Sequence, residues 1–148
     1  MRAVKQPLPS ELEIQAGLRS RCRNWAPAIS LVAVPNAGKR GQRALNQAMK
    51  EGLAIGFPDL VALAPGGLVA FIEVKRADGK TTARQDDWHE KLRRWGFACA
   101  VIRSIDEGEA FLRAQGFPWL EGQDSNGPGG ARDACPALNI GQQEWLNV

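Results

Sequence analysis

Hydrophobic positions along the chain follow helical spacing in some segments and form uninterrupted runs in others, which predicts four helices and four strands. An apolar stripe after Ser10 predicts a helix to about Trp25, and Glu13 stands three residues after Ser10, the spacing of a capping box. Ser104 and Glu107 repeat that spacing before the last helix. The later helices are predicted at 44–51, 82–95 and 104–115, and the strands at 29–34, 59–64, 68–75 and 97–102.

The order of these elements predicts an α/β fold with a small mixed sheet flanked by helices. The segment 65–67 (Pro-Gly-Gly) separates the two central strands and is typical of a hairpin turn. A helix between the third and fourth strands requires a crossover connection. We expect Trp25, Trp88 and Trp95 to lie in the core.

Length and composition indicate one domain in a reducing compartment. The chain has 148 residues, and we expect the domain over 1–120, because 121–148 is rich in Gly, Pro and polar residues and predicts a tail. No apolar stretch approaches the ~20 residues of a membrane span, and the N-terminus lacks the apolar core of a signal peptide. Three widely spaced cysteines predict neither a disulfide framework nor a zinc site. A cytoplasmic protein with no membrane partner is therefore expected.

Charge is unevenly distributed along the chain. The net charge is +3, yet residues 1–50 carry nine Lys and Arg against two acids, whereas residues 51–148 carry ten against fourteen. A basic half is compatible with binding to nucleic acid, and equally with an ordinary solvated surface. Charge alone does not choose between them.

Three charged residues interrupt the apolar central strands. Glu73 and Lys75 are two positions apart, so their side chains leave the same face of a strand. A turn at 65–67 places Asp59 opposite Glu73 or Val74, depending on the turn type, with opposed Cα atoms ~4.5–5.5 Å apart. Glu73 and Lys75 alone could simply pair at a sheet edge. The facing Asp59 favours a site, because buried carboxylates are costly unless they are paired or bind a metal.

Two facing carboxylates beside a lysine suit metal-assisted hydrolysis of a phosphodiester bond. Asp59 and Glu73 would hold Mg²⁺ or Mn²⁺ together with water. The metal would activate an attacking water, and Lys75 would orient that water or neutralise charge on the phosphate. No nucleotide cofactor is expected, since Gly38-Lys39 lacks the earlier glycine and the following Ser or Thr of a phosphate-binding loop.

Four short motifs, in order, resemble the signature of the VRR-NUC branch of the PD-(D/E)XK nucleases. They are Glu11-Leu-Glu-Ile-Gln15, Gly56-Phe-Pro-Asp-Leu60, Glu73-Val-Lys75 and Gln85. The resemblance covers roughly residues 10–113 and implies a restriction-endonuclease-like core, in agreement with the element order. It also implies that Asp59 and Glu73 are metal ligands, that Lys75 is the catalytic lysine, and that Gln85 positions the metal-bound water or a phosphate.

The family pattern also has an acid in the first helix, which is here Glu11 or Glu13. Glu11 stands three residues before Ile14, as in the family pattern, whereas Glu13 already has a use in the capping box. We therefore prefer Glu11 as the further metal ligand and catalytic acid. Both residues could instead be acids that the helix dipole favours, and Gln85 could be a solvent-facing helix residue.

Two other groups of residues bear on function. Asn36, Lys39, Arg40 and Arg43 are predicted to bind DNA phosphates near the metal, the alternative being a solvated charged loop. His89 is the single histidine of the chain and is predicted to be a surface or packing residue and not a base.

The sequence thus predicts a metal-dependent endodeoxyribonuclease. The resemblance implies action on branched replication or repair intermediates such as Holliday junctions, in a bacterial or phage setting. Cutting two strands needs two sites, which a homodimer would supply. The alternatives are a non-catalytic DNA-binding or assembly module on the same fold, and a sequence-specific restriction endonuclease, for which 148 residues leave little room.

Overall fold

The computed structural model describes residues 7–35 and 41–120, and within them the eight expected elements are present in the expected order. Their bounds differ from the predicted ones by one or two residues at most ends, which is the usual uncertainty of a helix or strand terminus. The elements are α1 (Glu11–Trp25), β1 (Ser30–Ala33), α2 (Gln42–Lys50), β2 (Leu60–Ala64), β3 (Leu68–Val74), α3 (Ala83–Arg94), β4 (Ala98–Ile102) and α4 (Ile105–Ala114).

The four strands form one mixed sheet in the order β1-β2-β3-β4. The pairs β1/β2 and β2/β3 are antiparallel, whereas β3/β4 is parallel because α3 carries the chain back across the sheet. The turn between β2 and β3 holds Gly66 at φ 83° and Gly67 at φ 75°, a left-handed backbone that glycine adopts at little cost. The predicted α/β class, with a small mixed sheet flanked by helices, is confirmed.

One face of the sheet is covered by α1 and α4. Ile14, Leu18 and Cys22 lie one helical turn apart on α1 and are all buried. They pack against alternate residues of the strands and against α4; the buried partners include Leu60, Ala62, Ala70, Ile72, Val74, Ile102 and Leu112. At Gly108 of α4 an added Cβ would lie 2.7 Å from Leu18, so glycine permits the close approach of the two helices.

The opposite face is covered by α3 through a smaller aromatic cluster. The ring of Phe57 makes edge-to-face contacts with Phe71 and Trp88, with centroids 5.5 and 5.0 Å apart. Because side chains alternate along a strand, Glu73 leaves β3 on the same face as Phe71. The charged positions of the central strands therefore lie under α3.

Two local predictions are wrong. Trp95 is 58% exposed and not in the core: it follows the last residue of α3, and its ring lies beside the Lys91 ammonium, 4.8 Å away. The Ser104 hydroxyl accepts from the backbone N–H of Glu107, but the Glu107 carboxylate accepts from the backbone N–H of Arg103 and not from that of Ser104, so the reciprocal capping box is absent there.

Other predictions meet the limits of the described residues. The tail 121–148, and with it the domain boundary at residue 120, lies outside them and stays a prediction. Within 7–35 and 41–120, none of the helices has the length and apolar character to span a membrane.

Candidate active site

The hairpin register brings Asp59 beside the end of β3. Leu60 pairs with Ile72 at the end of the β2/β3 ladder, so the next residues outward are Asp59 and Glu73. The backbone N–H of Val74 donates to Oδ2 of Asp59 at 2.9 Å. Asp59 is 6% exposed and Glu73 is completely buried. Of the two placements that the sequence allowed, the register selects Glu73 as the residue facing Asp59, with a backbone hydrogen bond to Val74.

Steric contact explains why the Gly-Phe-Pro-Asp segment begins with glycine. Gly56 has φ 86°, and a Cβ there would lie 2.8 Å from the backbone carbonyl group of Arg84. The segment leading to Asp59 can therefore rest directly on the first turn of α3 only with glycine at this position. Gln85, the next residue of that turn, contacts Glu73 near the end of β3.

Glu73 is held by two side chains at a single oxygen. Lys75 Nζ lies 2.7 Å from Oε1 of Glu73, and Nε2 of Gln85 donates a short hydrogen bond to the same atom. The other end of the Gln85 amide accepts from the backbone N–H of Thr82 at 2.9 Å and completes the capping box of α3. Gln85 therefore joins the start of α3 to the buried carboxylate of Glu73. The alternative interpretation of Gln85 as a solvent-facing helix residue does not fit this contact.

Lys75 is surrounded by acidic groups. Its side chain is 12% exposed, and its Nζ lies 4.0 Å from Oε1 of Glu11 as well as against Glu73. Burial, the largest single influence, lowers the pKa of Lys75, but the hydrogen bond with Glu73 and the charges of Glu73, Glu11 and Asp59 together outweigh it and raise the pKa above its ordinary value. Lys75 is consequently an ammonium donor at neutral pH.

The two acids of the first helix are used differently. Glu13 accepts from the backbone N–H and the hydroxyl of Ser10, both at 2.7 Å, and these hydrogen bonds lower its pKa. Glu11, in contrast, lies near Lys75 and so belongs to the cluster of polar side chains formed by Asp59, Glu73, Lys75 and Gln85. The geometry agrees with the preference for Glu11, while its catalytic role stays a prediction.

His89 was not expected at this site. It is buried, and its Nε2 lies 3.9 Å from Oε2 of Glu73, the oxygen that neither Lys75 nor Gln85 contacts. A signal was present in the sequence: His89 is four residues after Gln85, so both lie on one face of a helix. With a single sequence, that spacing did not distinguish it from a core residue.

A comparison with known families settles the identity of the fold. The VRR-NUC domain profile matches residues 2–106, well over half of the chain. The chain belongs to the VRR-NUC domain family. It is therefore a nuclease-like domain, and DNA is the substrate that this family implies.

Two solved structures resemble this VRR-NUC chain. One, titled VRR_NUC domain protein, superposes with a TM-score of 0.59 at 20% identity and covers 72% of this chain and 88% of its own. Another, titled VRR_NUC domain, gives a TM-score of 0.52 at 20% identity and covers 71% of this chain and 97% of its own. At such low identity the likeness shows the shared fold alone. A search of curated proteins finds no match.

The acids of this VRR-NUC domain suit a hard divalent cation with few protein ligands. Among the described residues, no group of three or more His, Cys, Asp or Glu side chains is arranged to hold a metal ion. Mg²⁺ commonly takes one or two carboxylates and completes its shell with water and substrate phosphate oxygens. Asp59, directly before β2, and Glu73 of β3 provide two such carboxylates, and Oε2 of Glu73 has no hydrogen-bond partner among the described residues. The residues fit the predicted metal.

The predicted DNA-binding loop is mostly outside the described residues. Asn36, Lys39 and Arg40 fall in the gap between residues 35 and 41. Arg43 is exposed on α2 and takes no part in the ion pairs that join Glu11, Glu73 and Lys75. Their contact with DNA stays a prediction.

Proposed function

We propose that this VRR-NUC domain is an endonuclease that hydrolyses DNA phosphodiester bonds with Mg²⁺ or Mn²⁺ as its cofactor. The observation that supports the proposal is the cluster at the end of the central hairpin. Two carboxylates, Asp59 and Glu73, lie there beside the ammonium of Lys75 and the amide of Gln85. A buried carboxylate with an unsatisfied oxygen is costly to a fold, and a function for it explains why the chain keeps one.

Asp59 and Glu73 would hold the cation, with Glu11 as a further acid at the edge of the cluster. A divalent ion bound there supplies an acidified water and offsets negative charge on the phosphate. Asp59 is kept in place by the Val74 backbone N–H. Since Val74 is the last residue of β3, an inner strand of the sheet, the Asp59 carboxylate is positioned by a regular element of the fold.

Lys75 acts as a charged hydrogen-bond donor. Its ammonium contacts Glu73 and approaches Glu11, and the remaining donor capacity of the ammonium is available to a phosphate oxygen or to the attacking water. Gln85 restrains the Glu73 carboxylate through its amide. These side chains would bind and orient the reacting groups, and the bound ion would supply the acidified water.

We further propose that the substrate is recognised by shape and backbone, as in branched replication or repair intermediates. A nuclease domain of this size offers little surface for reading base edges, and phosphate contacts carry no sequence information. Two-strand cutting would use a homodimer, and a native mass spectrum showing only monomer under cleavage conditions would contradict that part. A bacterial or phage protein working in the cytoplasm is the setting proposed.

The test is cleavage of labelled DNA of three shapes: linear duplex, 5′ flap and four-way junction. Each is incubated with Mg²⁺, Mn²⁺ or EDTA, using wild type and Lys75→Ala, with folding checked by circular dichroism. We expect cutting that requires metal, is greatest on a branched substrate and is lost in Lys75→Ala. A folded wild type that binds these DNAs and cuts none would contradict the proposal in favour of a binding module, and cutting of linear duplex at one sequence would favour a restriction endonuclease.

A further inference from the structure

Two buried polar atoms, one on Glu73 and one on His89, lie close together without forming a hydrogen bond. Oε2 of Glu73 and Nε2 of His89 each lack a hydrogen-bond partner among the described residues, and they lie 3.9 Å apart. Both side chains are sealed from solvent, at 0% and 3% exposed. Such atoms are normally satisfied in folded proteins, so a facing pair of unsatisfied ones points to a shared use.

Packing alone does not account for a histidine at this position. The neighbouring buried residue of the same helix, Leu92, is apolar and packs against Phe71 and Cys99. An apolar residue at position 89 would fill the same layer without burying a polar nitrogen. The nitrogen is therefore the feature that needs an explanation.

The helix places two different polar side chains beside the two oxygens of Glu73. Gln85 and His89 are four residues apart and point from one face of α3 toward the same carboxylate. Nε2 of Gln85 donates to Oε1, together with Lys75, while Nε2 of His89 approaches Oε2. A distance of 3.9 Å exceeds the length of a hydrogen bond by about 1 Å.

We infer that His89 is a positioning residue, whose Nε2–H donates to Oε2 of Glu73 and fixes the orientation of that carboxylate for the divalent cation. The inference rests on the proposed function. Glu73 held at one oxygen can still turn about that contact, whereas Glu73 held at both cannot. Residues that orient a metal ligand in this way commonly contribute strongly to metal affinity without touching the ion.

The first test is the tautomer of His89, which needs neither DNA nor metal. His89 is the single histidine of the chain, so tag-free protein labelled with ¹⁵N-histidine gives the signals of one imidazole. We expect the neutral ring to carry its proton on Nε2 in wild type and this preference to weaken in Glu73→Leu. A wild-type ring with its proton on Nδ1 overturns the inference, because Nε2 would then have no proton to donate.

The second test compares Mn²⁺ affinity, measured by the electron spin resonance of the free ion, among matched variants. His89→Leu replaces the imidazole with an apolar side chain and so removes the donor. His89→Gln keeps an N–H donor at the same position. Leu92→Val disturbs the packing of the same helix without removing a polar group. We expect His89→Leu to weaken Mn²⁺ binding about 10-fold or more. We expect His89→Gln to restore most of that loss, and Leu92→Val to lower the urea midpoint with Mn²⁺ affinity unchanged.

The outcomes separate this inference from the proposed function. If wild type binds Mn²⁺ and cuts DNA while His89→Leu does both equally well, His89 does not position Glu73 and the nuclease proposal stands. If His89→Gln loses as much affinity as His89→Leu, or if Leu92→Val loses it too, His89 has only a packing role. If wild type neither binds Mn²⁺ nor cuts, the proposed function fails and the role of His89 fails with it.

Discussion

The ion pair between Glu73 and Lys75 should be a large contributor to folding stability as well as to the site. Lys75 Nζ and Glu73 Oε1 are 2.7 Å apart, and the two side chains are 12% and 0% exposed. At an effective dielectric constant of about 20, their gross attraction is about 6 kcal/mol, and desolvation offsets much of it. Lys75→Met would leave the Glu73 charge buried without its ammonium partner, and losing one partner of a buried pair typically costs about 3–5 kcal/mol. We expect about 3 kcal/mol, the low end, because Lys75 keeps some contact with water.

A double-mutant cycle measures this energy. Urea unfolding of wild type, Glu73→Gln, Lys75→Met and the double variant is followed in EDTA, so that bound metal does not contribute. Glu73→Gln should cost about 1 kcal/mol, since Lys75 can still reach solvent, and the double variant should lie within about 1 kcal/mol of wild type because both charges are gone. The coupling energy should therefore be about 4 kcal/mol.

The chain contains a matched control for the cycle. Arg76 and Asp78 form an ion pair at 3.3 Å in which the side chains are 50% and 66% exposed. The same cycle on that pair should give a coupling below about 0.5 kcal/mol, because exposed pairs are screened and mobile. Equal couplings for the two pairs, or additive effects at Glu73 and Lys75, would refute the reasoning from burial.

Three further predictions concern single positions. Gly56→Ala drives a Cβ against the backbone of α3, so we expect it to lower the free energy of unfolding by about 3 kcal/mol or more. Gly66→Ala has a similar φ but lies in open space, so it should cost about 1–2 kcal/mol. Urea unfolding measures both values. Glu11→Ala should slow cleavage about 10-fold and leave stability unchanged. Glu13→Ala should lower the urea midpoint and leave cleavage unchanged. The reverse pattern would show that Glu13 is the acid of the site. Burial raises the pKa of Cys22 to about 11, so little of its thiol is ionised at pH 8. A variant that keeps only this cysteine should therefore react with iodoacetamide about 100-fold more slowly when native than in urea. Equal rates would contradict the burial of Cys22.

The fold and the centre of the site could be predicted because they depend on local pattern. Apolar runs gave the strands, and a glycine turn of known position fixed the hairpin that brings Asp59 to Glu73. Glu73 and Lys75 share a face through strand alternation alone. Each of these inferences needs only nearby sequence, so a single chain was sufficient.

What could not be predicted depends on which element covers which face. The burial of His89 follows from the packing of α3 over β3, a contact that no local pattern reveals. Residue type alone predicts that Trp95 is buried like other tryptophans, yet its place just past the end of α3 leaves it exposed. The capping residue Gln85 shows a further limit: a side chain with two polar ends can cap a helix and contact Glu73 at once, so a capping role does not exclude a role in the site.

The most direct test of the central claim compares two aspartates of the same chain. Asp59→Asn removes a charge from the cluster while its amide oxygen can still accept from the Val74 backbone, and Asp87→Asn removes one from the exposed surface of α3. Both proteins are assayed for cleavage of a labelled four-way junction across a Mn²⁺ titration, with urea midpoints as the folding control. The account predicts a loss of at least about 100-fold in Asp59→Asn, since even outer partners of a metal ligand cost 10–100-fold, and no loss in Asp87→Asn. Equal cleavage by Asp59→Asn and wild type at every Mn²⁺ concentration would contradict the assignment of this cluster as the metal-dependent active site.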